Sequence, residues 1–180
     1  MITLRDLQVD ELGRVGEIDR REHVTLVYRV EDGVLVSEAI DSQAERWSAE
    51  RVAGYVRRLV MCLQSGGMCF GAEDSAEGGR LAGVAALGAE PVETRPSLLE
   101  LKFMHVSQPY RRQGVAGRLL ERVEGEARRR GAEGLYISAT PTASAVGFYL
   151  SRGATLLVPP DPALLAVEPE DIHLGLPLSR

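Results

Sequence analysis

Arg111-Arg112-Gln113-Gly114-Val115-Ala116-Gly117 is the stretch of the chain that decides the fold. It joins an apolar run, Leu98 to Val106, which predicts a mostly buried strand, to a segment from Gly114 to Arg130 that predicts an amphipathic helix. The first N–H groups of a helix have no partner within it, and the helix dipole attracts anions to them. The sequence therefore predicts a phosphate site where this strand passes into this helix. The apolar stripe of the helix consists of Val115, Leu119, Leu120, Val123 and Ala127.

Two other phosphate-binding motifs do not fit the loop. A nucleotide P-loop ends in Gly-Lys-Ser/Thr, whereas Gly117 precedes Arg118, and Lys102, in the predicted strand, is the only lysine. A dinucleotide fingerprint needs Gly-x-Gly-x-x-Gly, and residues 112 and 116 are not glycine. The alternative explanation is that the small residues merely ease a tight turn and a close helix packing.

A second motif runs from Thr142 to Gly153, as Thr-Ala-Ser-Ala-Val-Gly-Phe-Tyr-Leu-Ser-Arg-Gly. It follows a short predicted strand, Gly134 to Ser138, and its composition predicts a helix that Gly153 ends. Phe148 and Tyr149 lie on this helix, which must bury one face.

These two stretches resemble motifs A and B of the GNAT superfamily, the acetyl-CoA-dependent N-acyltransferases. Arg111, Gly114 and Ala116 match the motif A signature Arg/Gln-x-x-Gly-x-Gly/Ala, and residues 104–111 match its upstream frame, Met-His-Val-x-x-Pro-x-Arg. The motif B register Ala-x-x-Phe/Leu-Tyr-x-x-x-Gly is matched by Ala145, Phe148, Tyr149 and Gly153. Thr142 departs from the asparagine that the family often has there.

The resemblance implies the fold and the reaction. The fold is a mixed α/β sheet flanked by helices, the GNAT acyl-CoA N-acyltransferase fold. The reaction moves an acetyl group from acetyl-CoA directly to a primary amine in a ternary complex, with acetyl-CoA as donor substrate and without a metal. The expected coenzyme contacts are Met104, His105, Val106, Arg111, Arg112, Gln113, Gly114, Val115, Ala116, Gly117, Arg118, Thr142, Ala145, Phe148 and Tyr149.

Tyr149 is the expected general acid by the same resemblance. Attack on a thioester develops charge on sulfur, and a phenol beside the sulfur can donate a proton to it. The alternative is an aromatic residue that packs on the coenzyme or in the core.

Glu100 is the expected base, because the histone-acetyltransferase branch of the superfamily has a glutamate at this offset before motif A. Its apolar neighbours predict partial desolvation, which raises the pKa of a carboxyl group. His105, with an ordinary pKa of about 6.5, and a water-borne proton path are the competing explanations.

The chain of 180 residues is 44% hydrophobic, which fits one domain covering residues 1–180. Strand and helix patterns alternate along it, with an extra N-terminal hairpin at about 24–40 around the turn dipeptide Asp32-Gly33. Strand patterns also cover residues 80–87 and 154–158, and residues 91–96 are expected to connect the first of these to the strand at 98–106. Residues 159–169, rich in proline, predict a substrate-side loop.

Composition excludes several function classes. No apolar run reaches the roughly 18 residues of a membrane span, and no signal peptide is recognisable, so we expect a cytoplasmic protein. A net charge of −5 argues against nucleic-acid binding. Cys62 and Cys69 form neither a disulfide framework nor a metal set, and their apolar settings predict buried thiols.

The acceptor amine is left open by the sequence. Acidic residues of the predicted pocket segments favour a cationic amine or are simply solvated; they are Glu31, Asp32, Glu38, Asp41, Asp161, Glu168, Glu170 and Asp171. Two functions of other kinds also stay open. One is a non-catalytic sensor that binds acyl-CoA, and the other is assembly of a homodimer through the hairpin.

Overall fold

The computed structural model describes residues 1–178 and divides the chain into two compact units. Unit 1 comprises Met1–Glu22, Ala44–Glu90 and Leu101–Glu126, and unit 2 comprises His23–Gln43, Pro91–Glu100 and the residues from Ala127 onward. The single domain expected for residues 1–180 stays a prediction.

Within residues 1–178 the chain forms nine strands and four α-helices. The strands are β1 (Ile2–Asp6), β2 (Glu22–Glu31), β3 (Val34–Ala44), β4 (Met68–Asp74), β5 (Arg80–Val92), β6 (Arg95–Val106), β7 (Gly134–Ala139), β8 (Thr155–Leu156) and β9 (Ile172–Pro177). The helices are α1 (Ala49–Gln64), α2 (Val115–Arg129), α3 (Ala143–Leu150) and α4 (Pro162–Val167). Short 3-10 helices cover Val9–Glu17, Ser75–Glu77 and Gln108–Tyr110.

Unit 1 is built on a sheet in which β1, β4, β5 and the end of β6 follow one another, with β1–β4 and β4–β5 antiparallel. Helix α1 begins after Ser48, whose side chain accepts a hydrogen bond from the Arg51 N–H, as N-cap chemistry requires. The predicted apolar stripe of α2 is buried along its whole length, which confirms the helical spacing.

Unit 2 is built on the start of β6 followed by β7, β9 and β8, with β7–β9 antiparallel. Gly134 opens β7 because of a close approach. A Cβ atom there would lie 2.7 Å from Leu98 Cδ2 and 2.8 Å from the Leu176 carbonyl oxygen. A larger residue would therefore push two neighbouring strands apart.

The predicted hairpin is present as a separate two-stranded sheet of β2 and β3. Asp32 and Gly33 both have positive φ, 48° and 76°, which is the turn conformation expected of an Asp-Gly pair. The Tyr28 N–H donates to the Pro141 carbonyl oxygen at 2.7 Å, so the hairpin is attached beside the start of α3.

Three local predictions were wrong. The proline-rich segment is not a plain loop, because Asp161 caps α4 by accepting hydrogen bonds from the Ala163 and Leu164 N–H groups. The expected connection at 91–96 is a tight turn between β5 and β6, both longer than predicted. The strand expected at 154–158 is only two residues long.

Candidate functional site

The motif A loop has the backbone conformation of an anion site. Arg112 and Gly114 both have positive φ, 60° and 81°, so the chain turns back on itself before α2 begins. The first helical hydrogen bond runs from the Arg118 N–H to the Gly114 carbonyl oxygen at 3.1 Å. Within residues 1–178, the N–H groups of Val115, Ala116 and Gly117 have no acceptor. These open donors are what a phosphate needs.

Gly114 is required for its conformation and not for lack of space. No atom lies within 4 Å of the position that its Cβ would take. Its positive φ is nevertheless one that side chains rarely adopt, so a substitution changes the loop through the backbone. The open space above Gly114 is also where a ligand would approach the main chain.

The arginines around the loop have different surroundings. Arg112 is exposed, and its guanidinium has no hydrogen bond or ion pair with the part of the chain that the structure describes. Arg118 donates to the Ile2 carbonyl oxygen at 3.0 Å. Gln113 donates from Nε2 to the Pro109 carbonyl oxygen at 2.7 Å, which folds its side chain back on the loop. Arg112 is therefore the side chain best suited to meet an anion.

Arg111 supports the loop. Its guanidinium donates from Nη1 to Glu22 Oε2 at 2.9 Å, from Nη2 to the Arg20 carbonyl oxygen at 3.0 Å and from Nε to the Val106 carbonyl oxygen at 3.2 Å. All three hydrogen bonds stay within unit 1. The sequence predicts positive charge at Arg111. It does not predict that the Arg111 guanidinium connects the end of β6 to residues 20–22 by hydrogen bonds.

Met104, His105 and Val106 end β6 and are half-buried. A Cβ atom at Gly83 would lie 3.1 Å from the His105 carbonyl oxygen and 3.2 Å from Val106 Cγ2, so β5 passes close to this stretch. The coenzyme contacts expected from these main-chain groups stay a prediction.

The His105 side chain belongs to an aromatic cluster that the sequence did not reveal, formed with Trp47, Tyr55 and Phe103. Its ring centroid lies 4.8 Å from that of Trp47 and 4.7 Å from that of Phe103, and the Trp47 and Tyr55 centroids are 4.9 Å apart. Phe103 is buried, whereas the other three rings are half-buried.

Burial, together with the positive charges of Arg20, Arg111 and Arg51, lowers the pKa of His105 to about 3. The imidazole is therefore neutral at physiological pH and only weakly basic. This argues against His105 as the base that abstracts a proton from the substrate.

Motif B lies in unit 2 as helix α3. Thr142 is its N-cap, and the Thr142 hydroxyl accepts a hydrogen bond from the Ala145 N–H at 3.3 Å while lying 3.0 Å from Ser144 Oγ. Gly153 has φ of 89° and donates its N–H to the Leu150 carbonyl oxygen, which confirms that it ends the helical segment. Thr142 thus has a structural role independent of any coenzyme contact.

Tyr149 is 6% exposed, and burial raises the pKa of its phenol. Its hydroxyl makes no hydrogen bond within residues 1–178. The ring packs against Phe148 with centroids 5.2 Å apart, and the Arg152 guanidinium lies over the Phe148 ring. A buried phenol with a raised pKa stays protonated at neutral pH, as a proton donor must.

Glu100 lies in the part of β6 that belongs to unit 2. The Glu100 side chain is half-buried. Its neighbours in sequence, Leu99 and Leu101, are buried, and in a strand they lie on the opposite face from Glu100. The role of Glu100 as base stays a prediction.

The comparisons with known proteins decide the family. A family model, the acetyltransferase (GNAT) family, matches residues 36–154. This protein belongs to the GNAT acetyltransferase family. The resemblance drawn from motifs A and B is thereby confirmed, and the family implies acyl transfer from an acyl-CoA donor.

Solved structures of GNAT proteins share the fold. A nourseothricin acetyltransferase is 21% identical, with 99% of each chain covered and a TM-score of 0.74. A Bacillus anthracis protein assigned as a streptothricin acetyltransferase and solved with acetyl coenzyme A is 14% identical, with 99% of each chain covered and a TM-score of 0.71. PaiA N-acetyltransferase from Thermoplasma acidophilum, solved with coenzyme A, is 16% identical, with a TM-score of 0.63 and coverage of 98% of this chain and 99% of its own.

These neighbours confirm the predicted fold class, a mixed α/β sheet flanked by helices. At such low identity the likeness concerns the fold alone. No curated protein sequence matches the chain significantly.

Most of the acidic residues expected to attract a cationic amine to this GNAT protein already have partners. Arg29 forms ion pairs with Glu31 and Glu38, and Asp41 lies 2.7 Å from His23 Nε2. Asp161 is buried and caps α4. The structure therefore weakens the case for a cation pocket built from these residues.

A buried polar cluster in unit 2 is a further feature that the sequence did not reveal. The Tyr136 hydroxyl lies 2.9 Å from His173 Nδ1 and accepts a hydrogen bond from the Asp161 N–H at 2.7 Å. The sequence pattern of β7 and β9 predicts that Tyr136 and His173 lie in strands. It does not predict that their side chains contact each other. The cluster ties α4 to the sheet of unit 2.

Both cysteines are free and buried, which confirms the predicted thiols. The Cys62 thiol donates to the Leu87 carbonyl oxygen at 3.3 Å, and its hydrogen bond to Cys69, together with burial, raises the pKa of the Cys69 thiol. Residues 1–178 contain no group of three or more metal-binding side chains. No described helix combines the length and the apolar character needed to cross a bilayer.

Proposed function

We propose that this GNAT-family protein transfers an acetyl group from acetyl-CoA to a primary amine, directly and within a ternary complex. The observation that carries the proposal is the motif A loop, whose positive φ angles at Arg112 and Gly114 leave the first N–H groups of α2 open. A pyrophosphate is the anion that such a row of donors fits. The family supplies the acyl-CoA donor.

In the proposed reaction the lone pair of the amine attacks the thioester carbonyl carbon. The new C–N bond forms, the C–S bond breaks, and the nitrogen loses one proton. Main-chain N–H groups at Met104, His105 and Val106 are the proposed donors to the carbonyl oxygen on which negative charge develops.

Tyr149 is the proposed acid that protonates the leaving thiolate of CoA. The raised pKa of its phenol keeps Tyr149 protonated at neutral pH, so its O–H is available to the sulfur as negative charge develops there. Glu100, or water, is the proposed acceptor of the proton that the amine releases. His105 is not proposed for this role, because its lowered pKa makes it a weak base.

A second candidate is a module that binds acyl-CoA without turning it over. The burial of Tyr149 favours it, because a ring that is 6% exposed is also what a purely structural aromatic residue looks like. Either function needs the same motif A loop.

Thiol release with a broad panel of amines separates the two candidates. The enzyme releases free CoA only when a suitable amine is present, and mass spectrometry then detects the acetylated amine. A protein that binds acetyl-CoA in calorimetry but releases no thiol with any amine is the non-catalytic module.

A further inference from the structure

The aromatic cluster of unit 1 combines partly exposed residues with positive charges around it. Trp47, Tyr55 and His105 are each half-buried, so the chain does not enclose any of these residues completely. The Trp47 and His105 rings meet edge to face, with their planes at 87°, and the Tyr55 ring is tilted against both. Such an arrangement accepts another flat or bulky apolar group more readily than a strongly hydrated one.

Residues 19–22 pass directly beside the end of β6, where His105 lies. The Asp19 N–H donates to Ser107 Oγ at 2.8 Å, and the Gln108 N–H donates to the Asp19 carbonyl oxygen at 2.7 Å. Arg111 links the Arg20 and Val106 carbonyl oxygens. The main chain at Arg20 is thereby held beside the end of β6, near the aromatic cluster.

The carboxylates of this stretch are already neutralised. Asp19 is buried and pairs with Arg21 and Arg46, at 2.6 Å and 2.8 Å, and Glu22 pairs with Arg111 at 2.9 Å. The Arg20 side chain is half-buried and has no hydrogen bond or ion pair with residues 1–178. An arginine in this state is a positive charge without a counter-ion.

A second guanidinium lies on the other side of the cluster. Arg51 lies 5.6 Å from the centroid of the Tyr55 ring, and its Nε donates to the Tyr55 hydroxyl at 3.2 Å. Arg20 and Arg51 both act on His105 as positive charges, whereas the charge of Arg111 is paired with Glu22. The surround therefore repels a polycation and attracts a carboxylate.

From this juxtaposition we infer that the acceptor is an α-amino acid with an aromatic or large apolar side chain, bound with its side chain against Trp47, Tyr55 and His105 and its carboxylate on Arg20. This inference rests on the proposed function, because it names the amine which that reaction acetylates. The α-amino group is then the nucleophile, and the carboxylate beside it serves for recognition only.

Turnover of matched acceptors tests the inference. L-phenylalanine and 2-phenylethylamine differ only in the carboxylate, and spermidine represents the polycations. We expect kcat/KM for phenylalanine to exceed that for phenylethylamine by at least about tenfold, since a hydrogen bond to a charged group is of this strength. Spermidine should be the poorest acceptor. Equal or better turnover of phenylethylamine or spermidine would overturn the inference.

Variants test whether Arg20 and Trp47 cause the expected preference for phenylalanine over phenylethylamine. Arg20→Gln should remove most of the preference for phenylalanine over phenylethylamine, and Trp47→Ala should weaken both acceptors. Arg57→Gln is the control for removal of an arginine, because Arg57 is exposed on α1 and makes no contact in the cluster, and it should leave the ratio unchanged. If Arg20→Gln instead weakens acetyl-CoA binding and spares the ratio, Arg20 serves the coenzyme and the inference is wrong.

Calorimetry of phenylalanine with the CoA-bound protein separates this inference from the proposed function. Binding that is lost in Arg20→Gln supports the acceptor site even if no thiol is released, in which case only the catalytic proposal fails. Turnover of other amines without any binding of phenylalanine would retain the enzyme and overturn the acceptor assignment.

Discussion

Arg111 Nη1 donates a hydrogen bond to Glu22 Oε2 across 2.9 Å, although 89 positions separate the two residues. The pair closes the motif A loop against the N-terminal segment, and both side chains are about a quarter exposed. The signature arginine of this chain therefore has a structural partner before any coenzyme arrives.

The first prediction concerns this pair. Arg111→Gln should lower the free energy of unfolding by about 2 kcal/mol, because it removes charge-assisted hydrogen bonds and leaves Glu22 half-buried without its partner. Urea unfolding measures the change. Arg112→Gln, on the exposed neighbour, should leave stability unchanged and weaken acetyl-CoA binding. Equal stability of both variants would show that the Arg111 hydrogen bonds contribute little.

The second prediction concerns Gly114. Gly114→Val should weaken acetyl-CoA binding by at least about tenfold, because a β-branched residue disfavours the positive φ that exposes the N–H donors. Calorimetry measures the affinity. Gly125→Ala is a matched control within α2, where a Cβ atom also meets nothing within 4 Å. It should keep the affinity and stabilise the helix by about 0.5–1 kcal/mol. Unchanged affinity of Gly114→Val would overturn the anion site.

The third prediction concerns Tyr149. Tyr149→Phe should lower kcat and leave acetyl-CoA affinity intact, because only the transferable proton is removed. Since burial raises the pKa of the phenol, deprotonation of Tyr149 should not limit the rate anywhere between about pH 6 and 10. Tyr136→Phe is the contrasting variant. It should reduce stability, because the Asp161 N–H loses its acceptor, and should spare kcat. An undiminished kcat in Tyr149→Phe would remove the acid role.

The fourth prediction concerns Glu100. If Glu100 accepts the proton of the amine, Glu100→Gln should lower kcat and flatten the acid limb of the pH–rate profile. Lys102→Gln is a control from the same face of β6. A profile with the wild-type acid limb in Glu100→Gln would indicate water as the proton acceptor.

The fifth prediction uses the pH dependence of stability. The pKa of His105 is about 3 in the folded chain and about 6.5 when unfolded, so between these values the unfolded state binds one more proton. The contribution of His105 to the free energy of unfolding is therefore at its maximum above pH 6.5, and it decreases as the pH falls from 6.5 toward 3. His105→Gln should therefore flatten the decline in unfolding free energy between pH 6.5 and 4. His23→Gln, on the exposed hairpin, is the control. A decline as steep as in the wild type would contradict the neutral, buried imidazole.

Features with a local cause were predictable from the sequence. The hairpin turn at Asp32-Gly33 and the Ser48 cap follow from backbone conformation and from a side chain bonding its own neighbours. The buried stripe of α2 follows from helical spacing. In each case the residues that decide the structure lie within a few positions of one another.

Features that depend on distant partners were not predictable. Trp47 and His105 meet only because the segment before α1 folds against the end of β6, and no short spacing marks that contact. Helix α4 was predicted as a loop even though Asp161-Pro162 is a good helix start, because the surrounding prolines dominate the composition. The partners of Arg111 are likewise set by tertiary structure alone.

The burial of both cysteines has a practical consequence. Cys62 and Cys69 are 3% and 1% exposed, and Gly67 packs so closely on Cys62 that a Cβ atom there would lie 2.4 Å from the sulfur. A chromogenic disulfide added to the native protein should therefore count released CoA alone. The same reagent reports denaturation, since each chain then yields two extra equivalents of colour. A single assay with this reagent can thus measure CoA release by the folded protein and detect its unfolding.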